Sequence, residues 1–298
     1  MEFLTGKIKP IYFRYLAAAF GSSLISSIYS IVDMAMVGQY HGPEGTAALA
    51  VVAPIWNIIY SLGLLVGIGG SVIFSTLKGK AGQEDTDPNE YFTASAVAAV
   101  VIIAAVWLTV ALFDKQLLLL FGAEESLLPL ARRYVLPVKF AIPCFLLNQM
   151  LAAYLRNDGA PGLATAGVIA GGIFNIFGDW FFVFFLDMGI MGAGLATATG
   201  SVLSLVILLS HFFSRKNTLR LVRTSGMVHK VREICVTGFS TFFIDVAMGI
   251  LTVLFNRQIM RYLGTNALSV RPTRRSRRRR TTLSGCLSRR SQTFRLRA

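Results

Sequence analysis

The sequence predicts an all-α integral membrane protein, and three observations carry that prediction. Hydrophobic residues make up 54% of the 298 residues and charged residues only 15%, whereas a soluble domain carries about 25% charged residues. The apolar residues fall into seven long stretches, each with the roughly 20 residues that a membrane helix needs. These stretches lack the alternating pattern of a membrane barrel, so helices are the expected structure.

The seven predicted spans follow one another with short loops between them. Their approximate limits are 11–36, 47–77, 91–113, 127–155, 162–186, 190–213 and 231–262. Span 2 contains Pro54 and then a run of glycines, at Gly63, Gly67, Gly69 and Gly70. A bent, thin helix of this kind suits either a gate or close helix packing.

The short loops differ in their content of Lys and Arg, which predicts an orientation in the membrane. One side holds the N-terminus, the loops after spans 2, 4 and 6, and the start of span 7. That side carries about 12 Lys and Arg residues, against about 3 on the other side. The loop of residues 39–46 has none, and the main exception is the pair Arg132 and Arg133 at the start of span 4. The positive-inside rule therefore predicts a cytoplasmic N-terminus.

The sequence changes character near residue 270. Residues 45–51 and 264–270 share five of seven letters, which suggests a repeated unit, and parallel repeats of several helices occur in transporters. Residues 271–298 then hold 11 Arg and no acidic residue, and such a tail is expected to be disordered. We favour a reading-frame change near codon 270. A tail that binds a membrane surface or nucleic acid, or an artefact of cloning, is the alternative.

Several classes of function find no support in the residues. The cysteines Cys144, Cys235 and Cys286 are too scattered for a disulfide framework or a zinc site. The three histidines share no helix face, and no Gly-Lys-Ser/Thr loop is present to cradle a phosphate. We therefore expect neither an enzyme nor a cofactor. Because 11 of the 29 basic residues lie in the tail, we also expect no nucleic-acid partner for the main body.

Three acidic residues lie within predicted spans, where a charge costs roughly 2.5–3.5 kcal/mol. They are Asp33 in span 1, Asp179 in span 5 and Asp245 in span 7, and each is expected either to face an internal cavity or to lie near an interface. Asn175 precedes Asp179 by one helical turn, so the two side chains share a helix face. Thr197 places a hydroxyl on span 6.

Small residues predict that spans 5 and 6 pack closely together. Span 5 carries Gly167 and Gly171 on the face that leads to Asn175. Span 6 carries a comparable stripe, formed by Gly192, Ala196 and Gly200. If the two stripes meet, a carboxylate, an amide oxygen and a hydroxyl come together in one cavity. Oxygen ligands of this kind suit a hard cation such as Na⁺, or a shared proton.

Span 4 adds further polar residues. Asn148 and Gln149 lie in its second half, and Lys139 lies between Pro137 and Pro143. Lys139 is either the counter-ion of an acidic residue in the cavity or a side chain that extends to the membrane interface.

Five short motifs, in order along residues 8–270, are similar to those of a known family. They are residues 32–38 (Val-Asp-Met-Ala-Met-Val-Gly), 156–161 (Arg-Asn-Asp-Gly-Ala-Pro), 175–179 (Asn-Ile-Phe-Gly-Asp), 192–197 (Gly-Ala-Gly-Leu-Ala-Thr), and Asp245 with residues 255–257 (Phe-Asn-Arg). They resemble, in turn, the end of helix 1, the loop between helices 4 and 5, and helices 5, 6 and 7 of the multidrug and toxic compound extrusion (MATE) transporters.

The resemblance implies an efflux antiporter of the plasma membrane, from a bacterium, that exports cationic amphipathic compounds in exchange for Na⁺ or H⁺. Such transporters have two lobes of six helices. Residues 1–225 would form the N-terminal lobe, residues 226–270 the start of the second lobe with its first helix, and residues 271–298 the Arg-rich tail.

The resemblance also implies roles for six residues. The cation, Na⁺ or a proton, would be held by four of them, Asp33, Asn175, Asp179 and Thr197. Asn148 would line the same cavity, and Asp245 would be the acidic residue of the second lobe.

Two other functions stay open on the sequence alone. A chain that stops one helix into the second lobe would be a non-transporting membrane fragment if the cavity requires a facing half. A lipid-linked sugar flippase of related architecture would need Arg or Lys for pyrophosphate, whereas the candidate cavity is acidic apart from Lys139.

Overall fold

The computed structural model describes residues 8–80 and 86–263, and these residues contain seven α-helices at the positions of the predicted spans. They are α1 (Ile8–His41), α2 (Pro43–Gly79), α3 (Asn89–Leu120), α4 (Leu128–Asn157), α5 (Pro161–Asp179), α6 (Ile190–Leu209) and α7 (Met227–Leu263). Seven helices of the described part are long and apolar enough to cross a membrane. The predicted all-α membrane fold is therefore confirmed. The second copy of the repeat and the Arg-rich tail lie outside the described residues.

A single residue joins the first two helices, so the prediction of a loop over residues 39–46 was wrong. α1 runs on to His41, Gly42 has a φ of 67°, and α2 begins at Pro43. Glycine adopts this left-handed conformation without a steric penalty. Proline is tolerated at the first helical position because a backbone N–H there has no partner within the helix. The polar residues around the turn therefore belong to helix ends.

α3 continues for two turns beyond the predicted end of span 3. The backbone departs from helical geometry at Phe113 (φ −119°, ψ 24°) and then resumes as far as Leu120. Leucines are good helix formers, and Leu118 in this last part is fully buried. Lys115, which the sequence predicted in a loop, therefore lies in the helix, and Asp114 lies against the bundle.

α2 runs through the centre of the bundle. It packs against α4 and α7, while α4 also contacts α3 and α6, α5 packs on α6, and α1 packs along α5. The buried apolar residues form two clusters along the bundle, one containing Val51 and Val135 and the other containing Val66 and Tyr154. Because α2 contributes to both clusters, it connects the two ends of the core.

Glycines bring α7 into direct contact with α2. A Cβ added at Gly69 would lie 2.1 Å from the carbonyl oxygen of Ile234, and one added at Gly238 would lie 2.2 Å from that of Leu65. Any side chain at these positions would push the two helices apart. The glycine run of span 2 therefore serves close helix packing, which is one of the two roles predicted for it.

A wider turn follows α5 directly after Asp179. Trp180–Phe185 forms a π-helix, and the N–H of Leu186 donates a hydrogen bond to the carbonyl oxygen of Phe181 at 2.9 Å. The chain then turns through Asp187, which has a φ of 55°, and enters α6. Single π turns within helices are often found at functional sites.

Candidate cation site

Small residues let α5 and α6 approach each other closely enough for polar side chains to meet. A Cβ added at Gly171 would lie 2.8 Å from the carbonyl oxygen of Gly200, and one added at Gly178 would lie 2.9 Å from the Cβ of Ala196. These short distances confirm the predicted contact between the two stripes of small residues.

Asn175 and Thr197 face each other across this contact. Asn175 Nδ2 donates a hydrogen bond to Thr197 Oγ1 at 3.0 Å, and the Thr197 hydroxyl donates to the carbonyl oxygen of Ala193, also at 3.0 Å. Asn175 is buried, and its Oδ1 has no hydrogen-bond partner among the described residues. This amide oxygen is therefore available to a cation or to a hydrogen-bond donor.

Asp179 places a carboxylate one turn further along α5, on the same face as Asn175. The residue is 0% exposed, and within the described part of the chain neither of its carboxylate oxygens has a hydrogen-bond partner. A buried charge without a partner is strongly destabilising. The position is favourable only when a proton or a cation satisfies the carboxylate.

α1 adds a second carboxylate, that of Asp33. The Tyr134 hydroxyl of α4 donates a hydrogen bond to Asp33 Oδ2 at 3.3 Å and lies 3.5 Å from Thr197 Oγ1. Asp33 Oδ1 is buried and has no partner among residues 8–80 and 86–263. The contacts of Thr197 with Tyr134 and Asn175 join Asp33 to the face of α5 that carries Asp179. Four helices, α1, α4, α5 and α6, therefore converge on one group of oxygen atoms.

Tyr134 is a member of this site that the sequence analysis did not identify. The residue is buried, and a Cβ added at Gly194 would lie only 2.4 Å from the Tyr134 carbonyl oxygen. This close contact between α4 and α6 allows the hydroxyl to reach both Asp33 and Thr197. One signal in the sequence pointed to this role, namely a tyrosine within an apolar span. A hydroxyl buried there requires a hydrogen-bond partner.

Asn148 lies next to this site, but within the described part of the chain it forms no hydrogen bond with the residues of the site. Its Nδ2 donates to the carbonyl oxygen of Ser201 at 2.9 Å, which is one turn further along α6 than Thr197. Its Oδ1 is buried and has no described partner. The polar surface of α6 therefore links Asn148 to Thr197.

Asp245 lies elsewhere, on α7, which packs mainly against α2. Its Oδ2 is buried without a hydrogen-bond partner in the described part. The structure thus brings together Asp33, Asn175 and Thr197 with Asp179, and it places Asp245 on α7, which packs against α2 and α3.

Lys139 pairs with an acidic residue that the sequence analysis did not single out. Its Nζ lies 2.6 Å from Asp114 Oδ2, and Arg132 Nε lies 3.3 Å from the same atom. The Asp114 side chain is 10% exposed and that of Lys139 is 15% exposed. Lys139 is therefore a counter-ion, as one of the two predictions had it, but its partner is Asp114 in the extension of α3 and not an acidic residue of the candidate site.

The polar side-chain atoms described around Asp33 and Asp179 are oxygens, except for the amide nitrogen of Asn175. Two carboxylates, an amide oxygen and two hydroxyls contribute, and no Lys or Arg of the described chain forms an ion pair with either acid. Hard cations prefer oxygen ligands, and a proton would equally satisfy an unpaired carboxylate. The arrangement can therefore bind a small cation or a proton, and it can attract a larger organic cation electrostatically.

Sequence comparison finds a family and several curated relatives. The model of the MatE family matches residues 18–181, which is more than half of the chain. Multidrug export protein MepA of Staphylococcus saprophyticus is 25% identical over 239 residues, which cover 78% of this chain and 52% of that protein. MepA of Staphylococcus aureus is 24% identical over 243 residues, with 80% and 53% covered. The chain thus spans about half the length of the curated relatives it matches.

Solved structures share the fold. The MATE multidrug transporter DinF-BH in complex with R6G aligns with a TM-score of 0.80 at 23% identity, over 89% of this chain and 59% of that one. An inward-facing multidrug resistance transporter of the MATE family and MOP superfamily aligns with a TM-score of 0.74 at 20% identity, over 81% and 55%. At these identities the likeness concerns the fold of the helical bundle.

Proposed function

Since this chain belongs to the MatE family of membrane transporters, we propose that it acts in multidrug efflux, as an antiporter that exports cationic amphipathic compounds in exchange for Na⁺ or H⁺. The seven membrane-length helices of its described residues and its bacterial relatives make it a multi-pass protein of the plasma membrane. The relatives carry the name multidrug export protein, and the solved DinF-BH structure contains R6G. Both facts support a small-molecule substrate for this chain.

The observation that carries the proposal is the fully buried carboxylate of Asp179, which has no hydrogen-bond partner among the described residues. In this mechanism a proton, Na⁺ or a drug cation satisfies the carboxylate, and each excludes the others because they compete for the same charge. Entry of the coupling cation from one side then displaces the drug cation toward that side. Exchange therefore follows from competition at one site, with alternating exposure of the site to the two sides of the membrane.

Each residue of the site has a distinct role in this mechanism. Asp179 supplies the charge, and the free Oδ1 of Asn175 supplies a neutral oxygen beside it. Thr197 fixes the Asn175 side chain by accepting its hydrogen bond. Tyr134 orients Asp33, so that the remaining oxygen of Asp33 faces the same space.

Replacing Asp179 tests this proposal directly. Asp179→Asn preserves the size of the side chain and removes its charge, so we expect efflux of the fluorescent cation rhodamine 6G to fall at least about tenfold, because truncating a buried charge interaction costs several kcal/mol. Efflux is measured in cells that express the 298-residue chain, with Glu125→Gln as the control because Glu125 is exposed in the loop after α3. Membrane fractions are blotted to verify equal amounts of each protein.

The outcomes of this assay separate the alternatives. Equal efflux by the native chain and by Asp179→Asn would show that Asp179 takes no part in the mechanism. A native chain present in the membrane but no better than an empty vector would indicate a non-transporting membrane fragment. In everted vesicles, dye movement that follows a Na⁺ pulse rather than an acid pulse would identify Na⁺ as the coupling ion.

A further inference from the structure

A second cavity lies where α2 ends and α7 begins, and it shares no residue with the cation site. Its volume is about 640 Å³, which falls within the range of about 300–1,000 Å³ typical of small-molecule pockets. Residues of α2 and of α7 line it, together with Tyr91 of α3. The cavity therefore bridges α7 and the body of the helix bundle.

The two sides of this cavity differ in chemistry. One side is apolar and is lined by Val72, Ile73, Leu77 and Val236. Val72 and Val236 are 43% and 69% exposed, as expected for side chains that face lipid. The other side carries the basic residues Lys80, His229 and Arg232. An apolar wall beside a basic wall is the pattern that an amphipathic anion requires.

Cations close to the cavity on the same end of the bundle already have acidic partners. Lys78 Nζ lies 2.7 Å from Asp158 Oδ1, and Lys230 Nζ lies 2.5 Å from Glu90 Oε2. These pairs are neutralised and contribute little attraction for an anion.

The charged residues that α7 contributes to the cavity, His229, Arg232 and Glu233, are arranged differently. Glu233, its acidic residue, accepts a hydrogen bond from the Tyr91 hydroxyl and lies 3.7 Å from His229 Nδ1. Arg232 is exposed, and it makes neither a hydrogen bond nor an ion pair with any residue that the structure describes. Its guanidinium is therefore available for the planar, two-point recognition of phosphate oxygens that arginine favours.

We propose that this cavity binds the phosphate group of an anionic phospholipid, with Arg232 and His229 at the phosphate and the acyl chains along Val72 and Val236. Basic pockets between membrane helices on the cytoplasmic side are known to bind anionic lipid headgroups, and the predicted orientation puts this end of the bundle in the cytoplasmic leaflet. A lipid fits better than free phosphate because the lining includes four aliphatic side chains, of which Val72 and Val236 are exposed.

Native mass spectrometry of the detergent-solubilised 298-residue chain tests this site. The probes are dioleoyl phosphatidylglycerol, dioleoyl phosphatidylcholine and inorganic phosphate. We expect phosphatidylglycerol to be retained at a lower concentration than phosphatidylcholine. Arg232→Gln should weaken the retention of phosphatidylglycerol about fivefold, because one basic residue near a membrane surface contributes about that much to the attraction of anionic lipid. Arg215→Gln is the matched control, because Arg215 is exposed at the same end but outside the cavity.

A second variant tests the apolar wall. Val236→Trp fills the lipid-facing side of the cavity and is expected to lower phosphatidylglycerol retention while leaving any binding of inorganic phosphate unchanged. Circular dichroism verifies that each variant keeps its helix content. The proposal is overturned if Arg232→Gln retains phosphatidylglycerol as well as the native chain or if both lipids bind equally. It is also overturned if inorganic phosphate alone saturates the site. None of these readouts depends on transport.

Discussion

At the scale of single residues, the contacts of Asp158 explain why an aspartate follows α4. Its fully buried carboxylate accepts hydrogen bonds from Lys78 Nζ at 2.7 Å and from the backbone N–H of Thr218 at 3.0 Å, and it lies 2.8 Å from His211 Nε2. These partners belong to the end of α2, the end of α6 and the segment that leads to α7. One side chain therefore fixes three parts of the chain relative to one another.

The surroundings of Asp158 make stability depend on pH. Burial opposes ionisation, but the hydrogen bonds from His211, Lys78 and Thr218 outweigh it and hold the pKa of this carboxyl below its ordinary value. A carboxyl group with a lower pKa in the folded state stabilises the fold above its unfolded pKa of about 3.9. That stabilisation is lost as the pH falls through the lower pKa of the folded state.

We therefore expect Asp158→Asn to lower the melting temperature at pH 7 and to remove part of the loss of stability below about pH 4. The measurement is thermal unfolding of the detergent-solubilised chain between pH 3 and pH 7. Glu124→Gln serves as the control, because Glu124 is exposed. Parallel curves for the native chain and Asp158→Asn over the whole range would contradict this role of Asp158.

Residue chemistry also explains which parts of the candidate site the sequence predicts. Asn175 and Asp179 share a face through their spacing alone, and Asp33 was identified by its charge within an apolar span. Tyr134 was missed because its role depends on the contact between α4 and α6 at Gly194, and no local pattern encodes the pairing of two distant helices. Asp114 was missed for a related reason, since its partner Lys139 lies on another helix.

At the scale of elements, the predicted spans agree with the helices because twenty or more apolar residues in a row have few alternatives in a membrane. Their ends agree less well. α1 and α2 meet at one residue, and α3 passes through Phe113 to Leu120. Polar residues at a span boundary are compatible with either a loop or a helix end. Which of the two forms depends on packing, such as the burial of Leu118, and the sequence does not show that packing.

The contact between α5 and α6 leads to a prediction about stability. Gly171→Ala would place a Cβ 2.8 Å from the Gly200 carbonyl oxygen, so the helices must separate, at a cost of about 1–3 kcal/mol. Gly162→Ala is a matched control on the same helix, because a Cβ there meets nothing within 4 Å. We expect thermal unfolding in detergent to show a lower melting temperature for Gly171→Ala alone. Equal melting temperatures would argue against close packing at Gly171.

At the scale of the whole molecule, the distribution of basic residues predicts how the chain lies in the membrane. The segment between α6 and α7 carries Arg215, Lys216, Arg220 and Arg223, whereas the loop between α5 and α6 carries no Lys or Arg. The positive-inside rule then places the α6–α7 segment in the cytoplasm and the loop after α3 outside.

Single cysteines test this orientation. In a chain whose native cysteines are replaced by alanine, we expect Glu125→Cys to react with a membrane-impermeant maleimide on intact cells. Arg215→Cys should react only after the membrane is permeabilised. Both positions are exposed, so accessibility within the protein does not limit the reaction. The reverse labelling pattern would invert the orientation and would move the proposed lipid site to the outer leaflet.

The π turn after Asp179 has a consequence for how the length of this segment relates to the site. The π turn over Trp180–Phe185 closes each hydrogen bond over one more residue than an α-helical turn does. Deleting one residue from Trp180–Phe185 would restore α-helical pitch there and leave the spacing of Asn175 and Asp179 unchanged, since both precede the turn. The spacing of the two polar side chains is therefore set within α5 alone, independently of the wider turn that follows it.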